Sequence, residues 1–172
     1  KNNKKKYLLI LNSPNNPSGQ ICKNLKEISD IIKKYNIFVL SDEIYSDLTF
    51  NHKYESIFNH CPEKVIISNG LSKWCGAGGW RLGYFLIPTE LKNLQNSIKV
   101  LASETFSSVS APIQYAAVKA FTDDHSDYIT KSKNILKGIG EFVYKNLNSN
   151  NIIMNKPLGA FYLMPEFLNK KF

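Results

Sequence analysis

The chain has 172 residues, of which 43% are hydrophobic, and a formal net charge of +8 at pH 7. This is enough for one folded domain, or for one domain and part of a second. Its lysines are scattered without interleaved aromatic residues, which argues against nucleic-acid binding. No apolar run approaches the roughly 20 residues of a membrane span, so no membrane partner is expected. Three irregularly placed cysteines match no metal site and favour reduced thiols in an intracellular, cytoplasmic protein.

The first predicted element is a buried strand. The apolar run from Leu8 to Leu11 stops at a cluster of Asn, Pro, Ser and Gly within LLILNSPNNPSG. This pattern is typical of a strand that enters a tight turn. Asn16 lies in that turn, where its amide either donates a hydrogen bond to a bound group or bonds only to the backbone of the turn.

A helix and a second strand are predicted next. Five residues fall on one helical face: Leu25, Ile28, Ile31, Ile32 and Tyr35. The length of this segment suits a right-handed crossover between parallel strands. The second apolar run, Ile37 to Leu40, ends in the acidic stretch SDEIYSDL. Polar side chains therefore again follow the carboxyl end of a predicted strand.

Four side chains of this acidic stretch need an interpretation. Asp42 comes just past the strand end and is either a cofactor ligand or the cap of a helix or turn. Tyr45 is either a cofactor ligand or a packed core tyrosine. Glu43 and Asp47 are predicted to be solvated or structural.

The third apolar run, Lys64 to Ile67, leads into the glycine-rich stretch SNGLSKWCGAGGWRLGY. Lys73 in this stretch is a candidate for a Schiff base, because burial at a strand end disfavours the ammonium and a neutral amine attacks an aldehyde. Arg81 carries a planar fork of donors that suits a phosphate. Aldehyde and phosphate occur together in pyridoxal phosphate. The alternative is a glycine-rich surface turn that happens to hold both residues.

This stretch resembles the cofactor-attachment signature of the class I/II aminotransferases. The segment around Asn16 likewise resembles the Asn-Pro-Thr/Ser-Gly motif of that family. The positions of the chain that match the attachment signature are Gly70, Leu71, Ser72, Lys73, Gly76, Ala77, Gly79, Trp80, Arg81, Leu82 and Gly83.

The resemblance implies a role for each candidate residue. Lys73 would bind pyridoxal phosphate covalently, and Arg81 would bind its phosphate. Asp42 would pair with the ring nitrogen, while Asn16 and Tyr45 would contact the 3-hydroxyl oxygen. Since ligands bind beyond the carboxyl ends of parallel strands, Asn16, Asp42, Tyr45 and Lys73 are predicted to converge on one crevice.

The predicted fold class is α/β. The resemblance implies half of an aminotransferase-like large domain, with a mostly parallel sheet, helices on both faces and one antiparallel strand, plus the start of a small α+β domain. The segment Arg81 to Ile87 follows the lysine turn too closely for a crossover helix, so it is the predicted antiparallel strand. Three helical patterns follow. Residues 91–101 are spaced for one buried face, residues 113–121 continue helical, and residues 128–147 form a longer amphipathic pattern.

Residues 1–125 are assigned to the second half of the large pyridoxal-phosphate-binding domain. Residues 126–172 are assigned to a long linking helix and the beginning of the small C-terminal domain. Within the latter, NIIMNKPLGAFYLMPEF resembles the first strands of the small domain. Gly159 and Phe161 either border the substrate or belong to the core.

The resemblance implies a pyridoxal-phosphate-dependent aminotransferase, active as a homodimer, that transfers an amino group from an amino acid to a 2-oxo acid. A lyase or synthase of the same fold and a catalytically inactive assembly subunit are the alternatives. The chain is interpreted as a fragment, since it starts at Lys1 and lacks the family's amino-terminal phosphate loop, ring-stacking aromatic residue and late carboxylate-binding arginine. Gly70 stands where many relatives have a phosphate-binding serine, which Ser68 or Ser72 could replace.

Overall fold

A computed structural model describes residues 5–51 and 53–168. These residues form two compact units. The first unit comprises residues 5–11, 24–44 and 55–123, and the second comprises residues 12–23, 45–51, 53–54 and 124–168. The elements in chain order are β1 (Leu8–Asn12), α1 (Leu25–Tyr35), β2 (Phe38–Asp42), β3 (Val65–Gly70), β4 (Gly83–Leu86), α2 (Lys92–Thr105), α3 (Ala111–Thr122), α4 (Ser126–Leu147), β5 (Ile152–Ile153) and β6 (Glu166–Phe167).

The main sheet has the strand order β1-β2-β3-β4. Strands β2 and β3 are parallel, with Val39 opposite Val65 and Asp42 opposite Ser68. Strand β4 runs antiparallel to β3, with Gly83 opposite Gly70. The α/β fold class and the antiparallel strand after the lysine turn are therefore confirmed.

The core of the first unit includes side chains of α1, of β2 and β3, and of the connection between these strands. Leu25 and Ile32 of α1 are buried, as are Val39 of β2, Val65 of β3 and Ile57 of the β2–β3 connection. Two residues of the predicted helical face are exposed, Ile31 by 52% and Tyr35 by 57%. The buried residues of α1 are three to four positions apart and include Ser29. The predicted face, which was defined by apolar residues alone, was therefore wider than the face that is buried.

The second unit is built around α4 and the segment that follows it. Strands β5 and β6 form a short antiparallel pair. Thr49 forms an antiparallel bridge with Gly159, and Leu48, Thr49 and Ala160 are almost fully buried. The predicted division into a large and a small domain at residue 125 stays a prediction.

Several predicted apolar faces are exposed in this chain. In β1, Leu8 is 61% and Ile10 65% exposed, and β1 forms one edge of the described sheet. Helices α2 and α4 contain no buried residue, although both form where their periodicity predicts them. The prediction of one buried face at residues 91–101 is wrong for this chain, because periodicity identifies an apolar face but not a neighbour that covers it. Among the described residues, no helix combines the length and apolar character needed to cross a membrane.

Candidate active site

Lys73 lies in a structured loop that joins β3 to β4. The loop is anchored in the first unit by Leu71 and Trp74, whose side chains are buried. It is closed by backbone hydrogen bonds from Ala77 N to Leu71 O at 3.2 Å and from Gly76 N to Lys73 O at 3.3 Å. Lys73 itself is half-buried, three residues beyond the carboxyl end of β3. The loop therefore holds an amine at the edge of the sheet where parallel strands present ligands.

Gly70 is required by the packing at the start of this loop. A Cβ atom at this position would lie 2.6 Å from the carbonyl oxygen of Leu82 and 3.0 Å from the Cα of Gly83. A serine cannot stand here with this backbone, because both neighbours are main-chain atoms that cannot rotate away. Any side chain at position 70 would therefore require the two strands to shift.

Arg81 ends the loop in an unusual backbone conformation. Its φ is 57°, in the left-handed region that residues other than glycine rarely adopt. Its Nη1 donates a hydrogen bond of 2.6 Å to the carbonyl oxygen of Gly78, and the side chain is exposed. This local bond fixes the direction of a guanidinium that still offers further donors to a ligand.

Asp42 is the last residue of β2 and lies opposite Ser68 of the parallel strand β3. The backbone N–H of Glu43 continues the ladder by donating to Ser68 O at 2.9 Å. The side chain of Asp42 is half-buried, and its Oδ1 accepts a hydrogen bond from the backbone of Ile44 at 3.4 Å. Asp42 and the lysine loop thus follow the carboxyl ends of two adjacent strands of the same unit.

Glu43 is buried, which excludes the solvated role considered for it and leaves the structural one. Only 6% of the residue is exposed. Its Oε1 accepts hydrogen bonds from the hydroxyl of Ser41 at 2.9 Å and from the hydroxyl of Ser56. Ser56 also caps the short helical turn at residues 57–59 by accepting from Phe58 N. Glu43 therefore ties the strand end that carries Asp42 to the connection that follows it.

Tyr45 is buried in the second unit, with 3% of the residue exposed. Its hydroxyl lies 2.7 Å from the hydroxyl of Tyr162. Its ring packs edge-on against Phe161 and Tyr162, with both centroid distances at 5.5 Å. Tyr45 thus has a packed ring and a hydrogen-bonded hydroxyl, which agrees with the core interpretation, while its contact with a cofactor stays a prediction.

Asn16 lies in the turn after β1, in the second unit. Other asparagines fold this turn: Asn12 Oδ1 accepts from the backbone of Asn16 at 2.7 Å, and Asn15 Oδ1 accepts from the hydroxyl of Ser18 at 2.8 Å. Asn16 is exposed, and within the described part of the chain its side-chain amide makes no hydrogen bond. The turn therefore keeps this amide available to a ligand.

The candidate residues that were predicted to converge on one crevice belong to both units. Asp42, Lys73 and Arg81 belong to the first unit, and Asn16 and Tyr45 to the second. Within the first unit, the structure places Asp42 and the lysine loop on adjacent strands. The meeting of all five residues at one cofactor stays a prediction.

One feature was missed by sequence reasoning. The hydroxyl contact of Tyr162 joins residues 117 positions apart, so no local pattern reveals it. Arg81, already a candidate from the sequence, is the single arginine of a chain with 22 lysines and arginines.

Comparisons with known proteins agree on one family. The family model of the aminotransferases of class I and II matches residues 1–171. A Bacillus subtilis (strain 168) protein named "Probable N-acetyl-LL-diaminopimelate aminotransferase" is 35% identical over 159 residues, which cover 91% of this chain and 39% of the relative. An aspartate aminotransferase of Thermotoga maritima is 33% identical, with 90% of this chain and 40% of the relative covered.

The fold is also similar to that of solved aminotransferases. The structure of an alanine aminotransferase from Pyrococcus furiosus matches 100% of this chain and 45% of its own, with a TM-score of 0.88 and 34% identity. This chain therefore spans about two fifths of the length of the curated relatives it matches. With a family model that covers almost every residue and a site built at the expected strand ends, the chain belongs to the class I and II aminotransferase family.

Proposed function

We propose that the protein containing this chain is a pyridoxal-phosphate-dependent aminotransferase that transfers an amino group from an amino acid to a 2-oxo acid. One observation carries the proposal: the anchored loop of Lys73 and the carboxylate of Asp42 follow the ends of adjacent parallel strands. Family membership supports the same reaction class.

The side chains of the site fit the chemistry of this cofactor. The half-buried amine of Lys73 suits an aldehyde, and the carboxylate of Asp42 suits a protonated ring nitrogen. The guanidinium of Arg81 suits a phosphate. Ser72 lies in the same loop, with its Cβ 3.8 Å from where a Cβ of Gly78 would stand. Gly78 is also the residue whose carbonyl accepts the hydrogen bond of Arg81, so Ser72 and Arg81 belong to the same loop region.

Each residue would then have one task. Lys73 holds the cofactor and, once the amine of the substrate displaces it, moves the proton at the α-carbon of the substrate. Asp42 keeps the ring nitrogen protonated, and Asn16 and Tyr45 donate hydrogen bonds to the ring oxygen. The bound cofactor supplies the electron sink for the α-carbon.

The remaining proposals concern assembly and location. We propose a homodimer, as the family resemblance implies, and an intracellular, cytoplasmic protein. The location is supported by the three cysteines of the described residues, Cys22, Cys61 and Cys75, which are all free thiols.

The test is an amino-transfer assay on the full-length protein loaded with pyridoxal phosphate. A panel of ¹⁵N-labelled amino acids is offered with unlabelled 2-oxo acids, and mass spectrometry follows the label. We expect the label in a new amino acid, loss of transfer in Lys73→Ala, and normal transfer in the control Lys92→Ala, which removes an exposed lysine of α2. Release of ammonia or elimination of a substituent would indicate a lyase instead. Full activity of Lys73→Ala would end the proposal.

A further inference from the structure

The contact between Tyr45 and Tyr162 joins a proposed cofactor ligand to a residue without an assigned role. The two hydroxyl oxygens are 2.7 Å apart, and the rings meet at an interplanar angle of 87°. Tyr162 also packs against Phe161, with 4.7 Å between the ring centroids. The packing of the Tyr162 ring and the hydroxyl contact with Tyr45 therefore both position the hydroxyl of Tyr162.

Tyr162 ends a segment, residues 157–162, that we call the brace. The brace contacts the turn that carries Asn16. The backbone N–H groups of Leu158 and Gly159 both donate to Gly19 O, at 2.8 and 3.2 Å. A Cβ atom on Gly19 would lie 2.7 Å from the carbonyl oxygen of Tyr162. The asparagine turn therefore packs directly on the backbone of the brace.

The brace also contacts the segment that follows Tyr45. Phe50 N donates to Leu158 O at 3.0 Å, and Ala160 N donates to Leu48 O at 3.1 Å. Ala160 is fully buried with a φ of 58°. A buried alanine in the left-handed region is held there by its surroundings, and such strained residues cluster at functional sites. The brace is thus hydrogen-bonded both to the turn of Asn16 and to the segment after Tyr45.

Helix α4 in turn supports the brace. A Cβ atom on Gly140 would lie 2.9 Å from the Cγ of Pro157, so the helix and the brace are in close contact. At the start of the brace, Lys156 forms an ion pair with Glu141 of α4 at 2.8 Å. The helix therefore contacts the end of the brace opposite Tyr162.

The chemistry of the phenols gives the hydroxyl contact a direction. Each hydroxyl has one proton to donate and two lone pairs that accept. If the hydroxyl of Tyr45 donates a hydrogen bond to an oxygen of the cofactor ring, it can only accept in its bond with Tyr162. The hydroxyl of Tyr162 is then the donor of that bond. A hydroxyl that accepts a bond becomes a stronger donor, because hydrogen bonds in a chain polarise one another.

We propose that Tyr162 is a positioning residue that orients and strengthens the hydrogen bond from Tyr45 to the cofactor ring oxygen. The inference rests on the proposed function, since it requires pyridoxal phosphate at Tyr45. Tyr162 would touch neither cofactor nor substrate and would act only through the hydroxyl of Tyr45.

The test is a pH titration of the absorbance band of the cofactor bound to Lys73, in the full-length protein. The proton on the linking nitrogen is held by the negative ring oxygen, so a weaker hydrogen bond to that oxygen raises the midpoint pH. We expect Tyr45→Phe to raise the midpoint and Tyr162→Phe to raise it by a smaller amount, roughly half a pH unit. The control Tyr128→Phe removes an exposed hydroxyl of α4 and should leave the midpoint unchanged.

The double variant separates action through Tyr45 from a general effect on the fold. If Tyr162 acts only through Tyr45, then Tyr45→Phe combined with Tyr162→Phe titrates like Tyr45→Phe alone. A wild-type midpoint in Tyr162→Phe, or shifts that add in the double variant, would overturn the role of Tyr162 and leave the proposed function intact. Absence of the band in the wild-type protein would overturn both.

Discussion

The hydroxyl of Ser41 donates a hydrogen bond of 2.9 Å to Oε1 of Glu43, with both side chains buried in the first unit. Because Ser56 donates to the same oxygen, a single acceptor atom holds two hydroxyls from two segments of the chain. This arrangement lies directly beside Asp42 and fixes the end of β2. Removing a buried acceptor that has two donors lowers the stability strongly, because both donors then lose their hydrogen-bond partner.

The stability lost on replacing Glu43 should therefore depend on whether the new side chain keeps that acceptor. Glu43→Ala leaves both hydroxyls without it and should lower the free energy of unfolding by about 2–4 kcal/mol. Glu43→Gln retains a carbonyl oxygen and should cost less than about 1 kcal/mol. Urea unfolding of the full-length protein measures both values. Equal losses in the two variants would contradict the single-acceptor arrangement.

Two glycines of the lysine region should respond in opposite ways to an added side chain. Gly70→Ala places a Cβ against the carbonyl oxygen of Leu82 and should destabilise the protein by about 1–3 kcal/mol. Gly79→Ala is the matched control, because a Cβ there meets no atom of the described residues within 4 Å. Its effect should stay within about 0.5 kcal/mol. Thermal or urea unfolding distinguishes the two, and a neutral Gly70→Ala would show that the strand pair can move apart.

The single arginine of the chain should not be replaceable by lysine. Arg81→Lys keeps the positive charge but loses the planar fork of donors, so the affinity for pyridoxal phosphate should fall roughly tenfold. Equilibrium titration of the full-length apoprotein with the cofactor measures this change. Lys119→Arg on α3 is the control for exchange of the two side chains, since Lys119 is exposed and pairs with Asp123. Unaltered affinity in Arg81→Lys would mean that charge alone suffices or that the phosphate lies elsewhere.

Much of the fold could be predicted from the sequence because the apolar runs are short and end abruptly. The runs that begin at Leu8, Ile37 and Lys64 each correspond to a strand that begins within one residue of that position. The antiparallel direction of β4 followed from a connection too short for a crossover. These features depend on local sequence, which a single chain displays directly.

The features that could not be predicted depend on contacts between distant segments. The local sequence around Glu43 does not predict its contact with Ser56. Likewise, the sequence around Tyr162 does not predict its contact with Tyr45. The exposed face of α4 has the same cause. Its Ile135, Ile139 and Phe142 are at least 57% exposed, although their spacing is that of a buried face.

The exposed apolar faces lead to a prediction for the isolated 172-residue chain. Side chains such as those of Leu8, Ile10 and Phe142 are mostly exposed, and β1 presents an edge of the described sheet. Apolar patches and open strand edges promote association. Light scattering after size-exclusion chromatography should therefore show multimers at micromolar concentration. A monodisperse monomer would contradict this expectation.

The central claim, that Lys73 binds the cofactor, is tested most directly by trapping it. Pyridoxal phosphate is added to the full-length protein, the linkage is reduced with borohydride, and the modified lysine is located by peptide mapping. The structure predicts a stoichiometric label on Lys73, which is half-buried in an anchored loop, and little on the exposed lysines. A label spread over many lysines, or one placed on a lysine other than Lys73, would contradict the account.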